Sequence, residues 1–219
     1  MNICFIGDSH APKILAAAAM SKGFNLTNHI EGADLVFVSQ DSKVADSGKR
    51  DLSVIEAMVR MAHPRRRLDA PLVLTSQVTP GFTRSLDIHP IYHMAETLRI
   101  KDAMERALNP EQIILGMRDE KSPLPKVLEE YCAAFKCPVH KVSFETAEFA
   151  KIAINMFLAL QVDCTNRLSD VAGKVGADWE CVKEILSLDK RIGPHAYLTP
   201  GRWQDSKHLL RDAYWLERQ

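Results

Sequence analysis

The chain has 219 residues, enough for one large domain or two small ones, and its 28 basic and 28 acidic side chains cancel, which removes any global attraction to nucleic acid or an anionic membrane. The start, MNICFIG, carries no basic leader or cleavage site, and no apolar run approaches the roughly 20 residues a bilayer requires; the reading is a soluble, cytoplasmic protein. Five cysteines at irregular spacings (Cys4, Cys132, Cys137, Cys164, Cys181) form neither a disulfide framework nor a CxxC knuckle, so they are expected to be reduced and mostly buried.

Short Val- and Ile-rich runs at Asn2–Ile6, Ala33–Ser39, Pro71–Ser76, Gln112–Met117 and Pro138–Ser143 read as strands. They alternate with segments of helical period such as Asp51–Ala62 and Pro125–Phe135, the pattern of a parallel sheet wrapped by helices. From Glu145 to about Ala177 there is no proline and apolar residues keep helical spacing, so one long helix is expected. Asp178 is a candidate N-cap for the next helix, WECVKEILSL, and an irregular RIGPHAYLTPGRW leads to a last helical stretch. The fold class is therefore α/β, a Rossmann-like domain over 1–144 followed by an all-helical domain over 145–219. PRRR at 64–67 reads as a solvated loop. His89 and His93 in HPIYH have a spacing seen in metal sites, but Pro90 opposes a helix there and no third ligand is placed, so the stretch reads as a surface or interdomain loop without metal.

The opening turn, Gly7-Asp8-Ser9-His10-Ala11-Pro12, follows an apolar strand and precedes a helix, where a dinucleotide fold carries three glycines. Gly7 keeps the first place, Ser9 holds the second and Pro12 the third. Pro12 suits a first helical turn because no N–H is needed there, whereas the Asp8 charge opposes a pyrophosphate. After GFNL the chain reads TNHIEGADLVFV, offering Asn28 or Glu31 as a ribose-binding group and reaching the next strand almost at once. Lys151 and Asn155 lie four apart on the long helix and project from one face, where a cation and an amide can hold an oxygen that becomes negative. His208 and Asp212, also four apart, can form an acid/base pair or an ion pair on a helix face.

Four stretches, SQVTPGFTR (76–84), ETLR (96–99), TAEFAKIAINMFLA (146–159) and DKRIG (189–193), resemble in order and spacing the UDP-glucose/GDP-mannose dehydrogenase family's STVPPGTT, PEFLREG, SAELIKYAANAFLA and DPRIG. The resemblance implies NAD-dependent oxidation of the C6 alcohol of a nucleotide sugar to a carboxylate, a Rossmann-like first domain, and a helical middle domain whose long helix forms a homodimer interface. It also implies a third, nucleotide-enclosing domain, which would begin about where this sequence stops; the chain reads as a shortened member without it. By the same resemblance the cofactor lies against Gly7, Ser9, His10, Ser39 and Gln77, Lys151 and Asn155 bind the reacting oxygen, Glu96 keeps the first of two glutamates, and Arg191 and Gly201 lie near the substrate.

The departures fall on the chemistry. Aligned without a gap from Gly201, GRWQDSKHLLRD stands where the family has GPGFGGSCFPKD, so His208 takes the place of the nucleophilic cysteine and Arg211-Asp212 the place of Lys-Asp. Gln77 replaces a threonine and Ile100 the second glutamate. An imidazole does not replace a thiolate that must also leave from a thioester. The four-electron oxidation is thus expected to be lost and NAD binding weakened or lost, because a βα segment on the adenine side is missing relative to the family. At most a two-electron oxidoreductase remains; the alternative is a non-catalytic binding or assembly protein of nucleotide-sugar or surface-polysaccharide metabolism.

Overall fold

The computed structural model describes residues 1–219, apart from the side chain of Ile100, so the position of the family's second glutamate lies outside the described side chains. Two compact units form: residues 1–43 with 50–151, and residues 44–49 with 152–219. The boundary expected at 144/145 marks the start of the long helix, and the first turns of that helix, to Lys151, group with the sheet.

In chain order the first unit contains β1 (Asn2–Ile6), α1 (His10–Ser21), β2 (Asn25–Leu26) and β3 (Leu35–Val38), then β4 (Lys43–Val44) and β5 (Arg50–Asp51), which form a small hairpin. There follow α2 (Ser53–Arg65), β6 (Leu72–Leu74), α3 (Phe82–Ser85), β7 (Ile91–Met94), α4 (Ala103–Leu108), β8 (Ile113–Met117), α5 (Lys126–Ala133), β9 (Val139–Ser143) and the start of α6 (Phe144–Val175). Seven strands lie in the order β2-β1-β3-β6-β7-β8-β9. All neighbours are parallel except β7 and β8. β3 is apolar at every position, as a strand covered on both faces must be. Leu35 and Phe37 point to the layer holding Ala18, Leu128 and Tyr131, while Val38 joins Ile55, Val59, Leu74 and Phe144 on the other side. Phe37 stacks on Phe5 at 4.7 Å and meets Tyr131 at 4.9 Å. Truncating it to alanine removes the centre of that layer, a loss of about 3–5 kcal/mol.

Only residues 27–34, with a 3-10 turn at Ile30–Gly32, join β2 to β3, which flanks β1 on its other side. Among the described residues no helix or further strand lies between them, so the outer βα unit of a mononucleotide-binding half is missing here, as the sequence indicated.

Three expectations are corrected. HPIYH is not a surface loop: Ile91–Met94 forms β7 in the middle of the sheet, and His93 is 2% exposed. Pro90 precedes the strand and so breaks no ladder bond within it. Nor is PRRR simply solvated. Pro64 sits in the last turn of α2, and Arg66 is buried, its guanidinium donating to the carbonyl oxygens of Arg67, Leu68 and His89. Those three bonds replace the water that burial removes. Finally, only Cys4 and Cys132 are buried; Cys137 is half-buried, and Cys164 and Cys181 are exposed because they lie on outward faces of helices.

The second unit comprises residues 44–49, α6 from Ile152, α7 (Trp179–Leu188) and α8 (Lys207–Leu216). Asp178 caps α7 as expected, its carboxylate accepting from Glu180 N–H at 2.9 Å. The irregular segment before α8 is tied to polar side chains on α6. Gln161 Oε1 accepts from Tyr197 N–H at 3.0 Å, Thr165 Oγ1 donates to the Tyr197 carbonyl at 2.7 Å, and Trp203 Nε1 donates to Asp163 at 2.8 Å. Gly48, at φ 91°, lies so close to α8 that a Cβ would stand 2.6 Å from the Tyr214 Cβ.

Candidate functional site

In the first unit the turns after β1, β3 and β6 come together at the carboxyl ends of the strands. β2 and β3 leave β1 in opposite directions, so this is the topological switch point where open α/β sheets bind ligands. Gly7 has φ 142°, and a Cβ there would lie 1.8 Å from the Ser39 carbonyl oxygen. Only glycine makes this bend. Ser9 is the N-cap of α1, yet its side chain makes no capping bond and its Oγ is buried without a partner. His10 is exposed. Ser39 is buried, its N–H donating to the Ile6 carbonyl at 2.9 Å.

Gln40, which sequence reasoning missed, stitches the three turns together. Its Oε1 accepts from Asp8 N–H at 3.1 Å, and its own N–H donates to Ser76 Oγ at 2.8 Å. Gln77, beside Ser76, is half-buried. The residues therefore suit a diphosphate in two respects, the glycine bend and the unpartnered hydroxyl at a helix N-terminus. Against it stand the Asp8 charge, a turn N–H already taken by Gln40, and the short β2–β3 connection where an adenosine would rest.

Glu96 lines a mostly apolar cavity of about 60 Å³ with Leu15, Phe37, Met94, Tyr131 and Arg106. It is half-buried, and its carboxylate accepts from Leu98 N–H.

The start of α6 holds two further carboxylates that the motif comparison passed over. Glu148, 1% exposed, accepts from Gly81 N–H at 2.6 Å and from Thr83 N–H at 2.8 Å, closing the amino end of α3. Burial raises its pKa, with the two backbone donors opposing that rise. One turn earlier, Glu145 pairs with Arg84 through two bonds of 2.5 and 2.9 Å. This pairing holds the Glu145 carboxyl below its usual range. The stretches TPGFTR and ETAEFAK are thus one interlocked piece. Its signal in the sequence was the three-residue spacing of the two glutamates, which places both on one helix face.

In the helical unit Asn155 and Asp212 meet. Asn155 Nδ2 donates to Asp212 Oδ2 at 2.7 Å, with both residues buried. Arg211, also buried, brings its Nε to 4.0 Å from the other Asp212 oxygen. His208 is exposed on the preceding turn of α8. Arg191 is not drawn into this group; after α7 it forms an exposed bidentate pair with Asp189, at 2.7 and 3.0 Å. Gly201 is clasped by Asn166, whose amide donates to its carbonyl at 2.8 Å and accepts from its N–H at 2.9 Å. Lys151 is half-buried and closes the first unit's share of α6. Among the described residues no group of three His, Cys, Asp or Glu side chains is placed to hold a metal ion.

Residues 145–218 match the family model described as UDP-glucose/GDP-mannose dehydrogenase family, central domain. Over 173 residues the chain is 30% identical to the UDP-glucose 6-dehydrogenase YwqF of Bacillus subtilis (strain 168), a match covering 74% of this chain and 39% of that protein. With the UDP-glucose 6-dehydrogenase TuaD of the same organism it shares 25% identity over 182 residues, 77% of this chain and 39% of the relative. The chain thus spans about two fifths of the length of these relatives. A UDP-glucose dehydrogenase structure from the hyperthermophilic archaeon Pyrobaculum islandicum superposes with a TM-score of 0.77 at 21% identity, over 99% of this chain and 63% of that one. At that identity the superposition speaks for the fold.

Proposed function

Because the chain belongs to the UDP-glucose/GDP-mannose dehydrogenase family, we propose that it is a divergent nucleotide-sugar 6-dehydrogenase homologue that has lost the four-electron reaction and retains at most one two-electron oxidation. The observation that carries this reading is the buried Asn155–Asp212 pair. By accepting one amide proton, Asp212 fixes the orientation of Asn155, and the second amide N–H then donates to the oxygen of a bound alcohol. Together with the Lys151 ammonium it lowers the cost of negative charge on that oxygen as the alcohol proton leaves. Gly7, Ser9 and the first turn of α1 hold the cofactor's diphosphate. NAD, when bound, supplies the hydride acceptor. The stretch from Gly201 offers no thiolate, so oxidation stops at the aldehyde level.

A second reading, a non-catalytic binding or assembly protein, is favoured by Gln40 occupying the turn N–H and by the apolar outer face of α6, which presents Phe157, Leu160, Leu168 and Val171 to solvent. That face supports a homodimer through the long helix. Isothermal titration with NADH and NAD⁺, sensitive to dissociation constants up to about 1 mM or roughly −4 kcal/mol, separates the readings. Saturable binding supports the oxidoreductase. A folded dimer that binds neither overturns it in favour of assembly.

A further inference from the structure

The exposed apolar residues of α6 in the helical unit are spaced symmetrically. Phe157, Leu160, Leu168 and Val171 are 47–67% exposed, and with exposed Cys164 they follow one another at intervals of three, four, four and three residues. At roughly 100° per residue all five fall within a narrow stripe opposite the face that carries Asn155. Reversing the stripe about Cys164 reproduces it: Phe157 exchanges with Val171, Leu160 with Leu168, and Cys164 with itself. An isologous interface requires this property, because a two-fold axis crossing an antiparallel helix pair sets residue i against its reflection. The sizes also agree. A large Phe157 meets a smaller Val171, and the small Cys164 at the centre lets the helices approach to the 8–10 Å usual for packed pairs.

We propose that two copies of this chain pair through antiparallel α6 helices with the two-fold axis passing beside Cys164, so that the two Cys164 thiols face each other. This rests on the homodimer reading above and adds its register. A parallel pair would instead set Leu160 against Leu160 and Phe157 against Phe157.

The test uses the full chain with Cys137→Ala and Cys181→Ser, sedimentation to measure its mass, and a short bismaleimide to join facing thiols. Cys164 is expected to cross-link in high yield. In a Cys164→Ser background, Leu160→Cys alone is expected not to cross-link, since its two copies would stand about 12 Å apart along the axis, whereas an equimolar mixture of Leu160→Cys and Leu168→Cys chains is expected to do so. Val171→Cys, with copies about 21 Å apart, serves as a second negative. A monomer by sedimentation overturns the dimer reading itself. A dimer whose Cys164 thiols do not join, or whose Leu160→Cys chains join to themselves, overturns the register and leaves the dimer standing. Should the variants dissociate, the Cys164 result in the parent decides alone.

Discussion

Asn155 on α6 and Asp212 on α8 are 57 positions apart in sequence and share a 2.7 Å hydrogen bond out of contact with solvent. Removing the acceptor strands a buried amide. Asp212→Ala should therefore destabilise the chain by about 2–4 kcal/mol, and Asp212→Asn by less, because an amide oxygen can still accept. Chemical denaturation of the two variants checks the order. Any alcohol oxidation found in the parent should fall in both, with circular dichroism confirming the fold.

Glu148 supplies both acceptors for the Gly81 and Thr83 N–H groups. Glu148→Ala leaves both donors buried and unmet, and a loss of about 2–3 kcal/mol is expected. Glu148→Gln turns one acceptor into a donor facing a donor, so it should not restore wild-type stability although it is nearly isosteric. A Glu148→Gln midpoint equal to wild type in urea would falsify this account of the α3 terminus.

His93 is buried in β7 with its Nδ1 unpartnered, and desolvation pushes its pKa down to about 4. Unfolded, it titrates near 6.5. Above that pH both states hold a neutral imidazole and the group contributes no pH dependence. As pH falls from about 6.5 to about 4 the unfolded chain takes up the proton and the folded one does not, so stability drops, in total by about 3 kcal/mol. Melting temperatures of wild type and His93→Gln across this range should diverge in slope, with the variant losing less on acidification.

Gly7→Ala should be among the most damaging single changes in the sheet, costing about 3 kcal/mol or more, since the added carbon meets the Ser39 carbonyl and the backbone conformation disfavours a side chain. Gln40→Ala tests the crevice more gently. If its amide competes with a diphosphate for the Asp8 N–H, the variant should bind NADH several-fold more tightly in the same titration, with little change in folding. Unchanged or weaker binding removes Gln40 as a competitor.

The strands that carry only apolar residues, such as Leu35–Val38, and the unbroken period of α6 were legible because period and length are properties of the chain alone. β7 was not. HPIYH places two histidines and a proline in four of five positions that stay buried or half-buried in mid-sheet, and only tertiary burial overrides so polar a composition. The site divided in the same way. Asn155 and Asp212 could be named from their motifs, but their pairing depends on how α8 returns to α6. Glu148 and Gln40 escaped notice because both act on backbone N–H groups, and a carboxylate or amide that caps a distant turn leaves no spacing rule in the sequence. Arg191 matched a motif and yet spends its guanidinium on Asp189 two residues away, a local bond that composition alone cannot rank against a distant one.

The shortened β2–β3 connection also changes what the sheet offers to other chains. Its outer strand on that side is the two-residue Asn25–Leu26, and the opposite border is β9, where His140 and Lys141 are exposed at its centre. A border two residues long gives an incoming strand almost no ladder to extend, and a cationic one resists the flat stacking of like edges. Loss of the outer βα unit has thus left a sheet with little tendency to template strand addition, which is a safeguard against fibrillar misassembly.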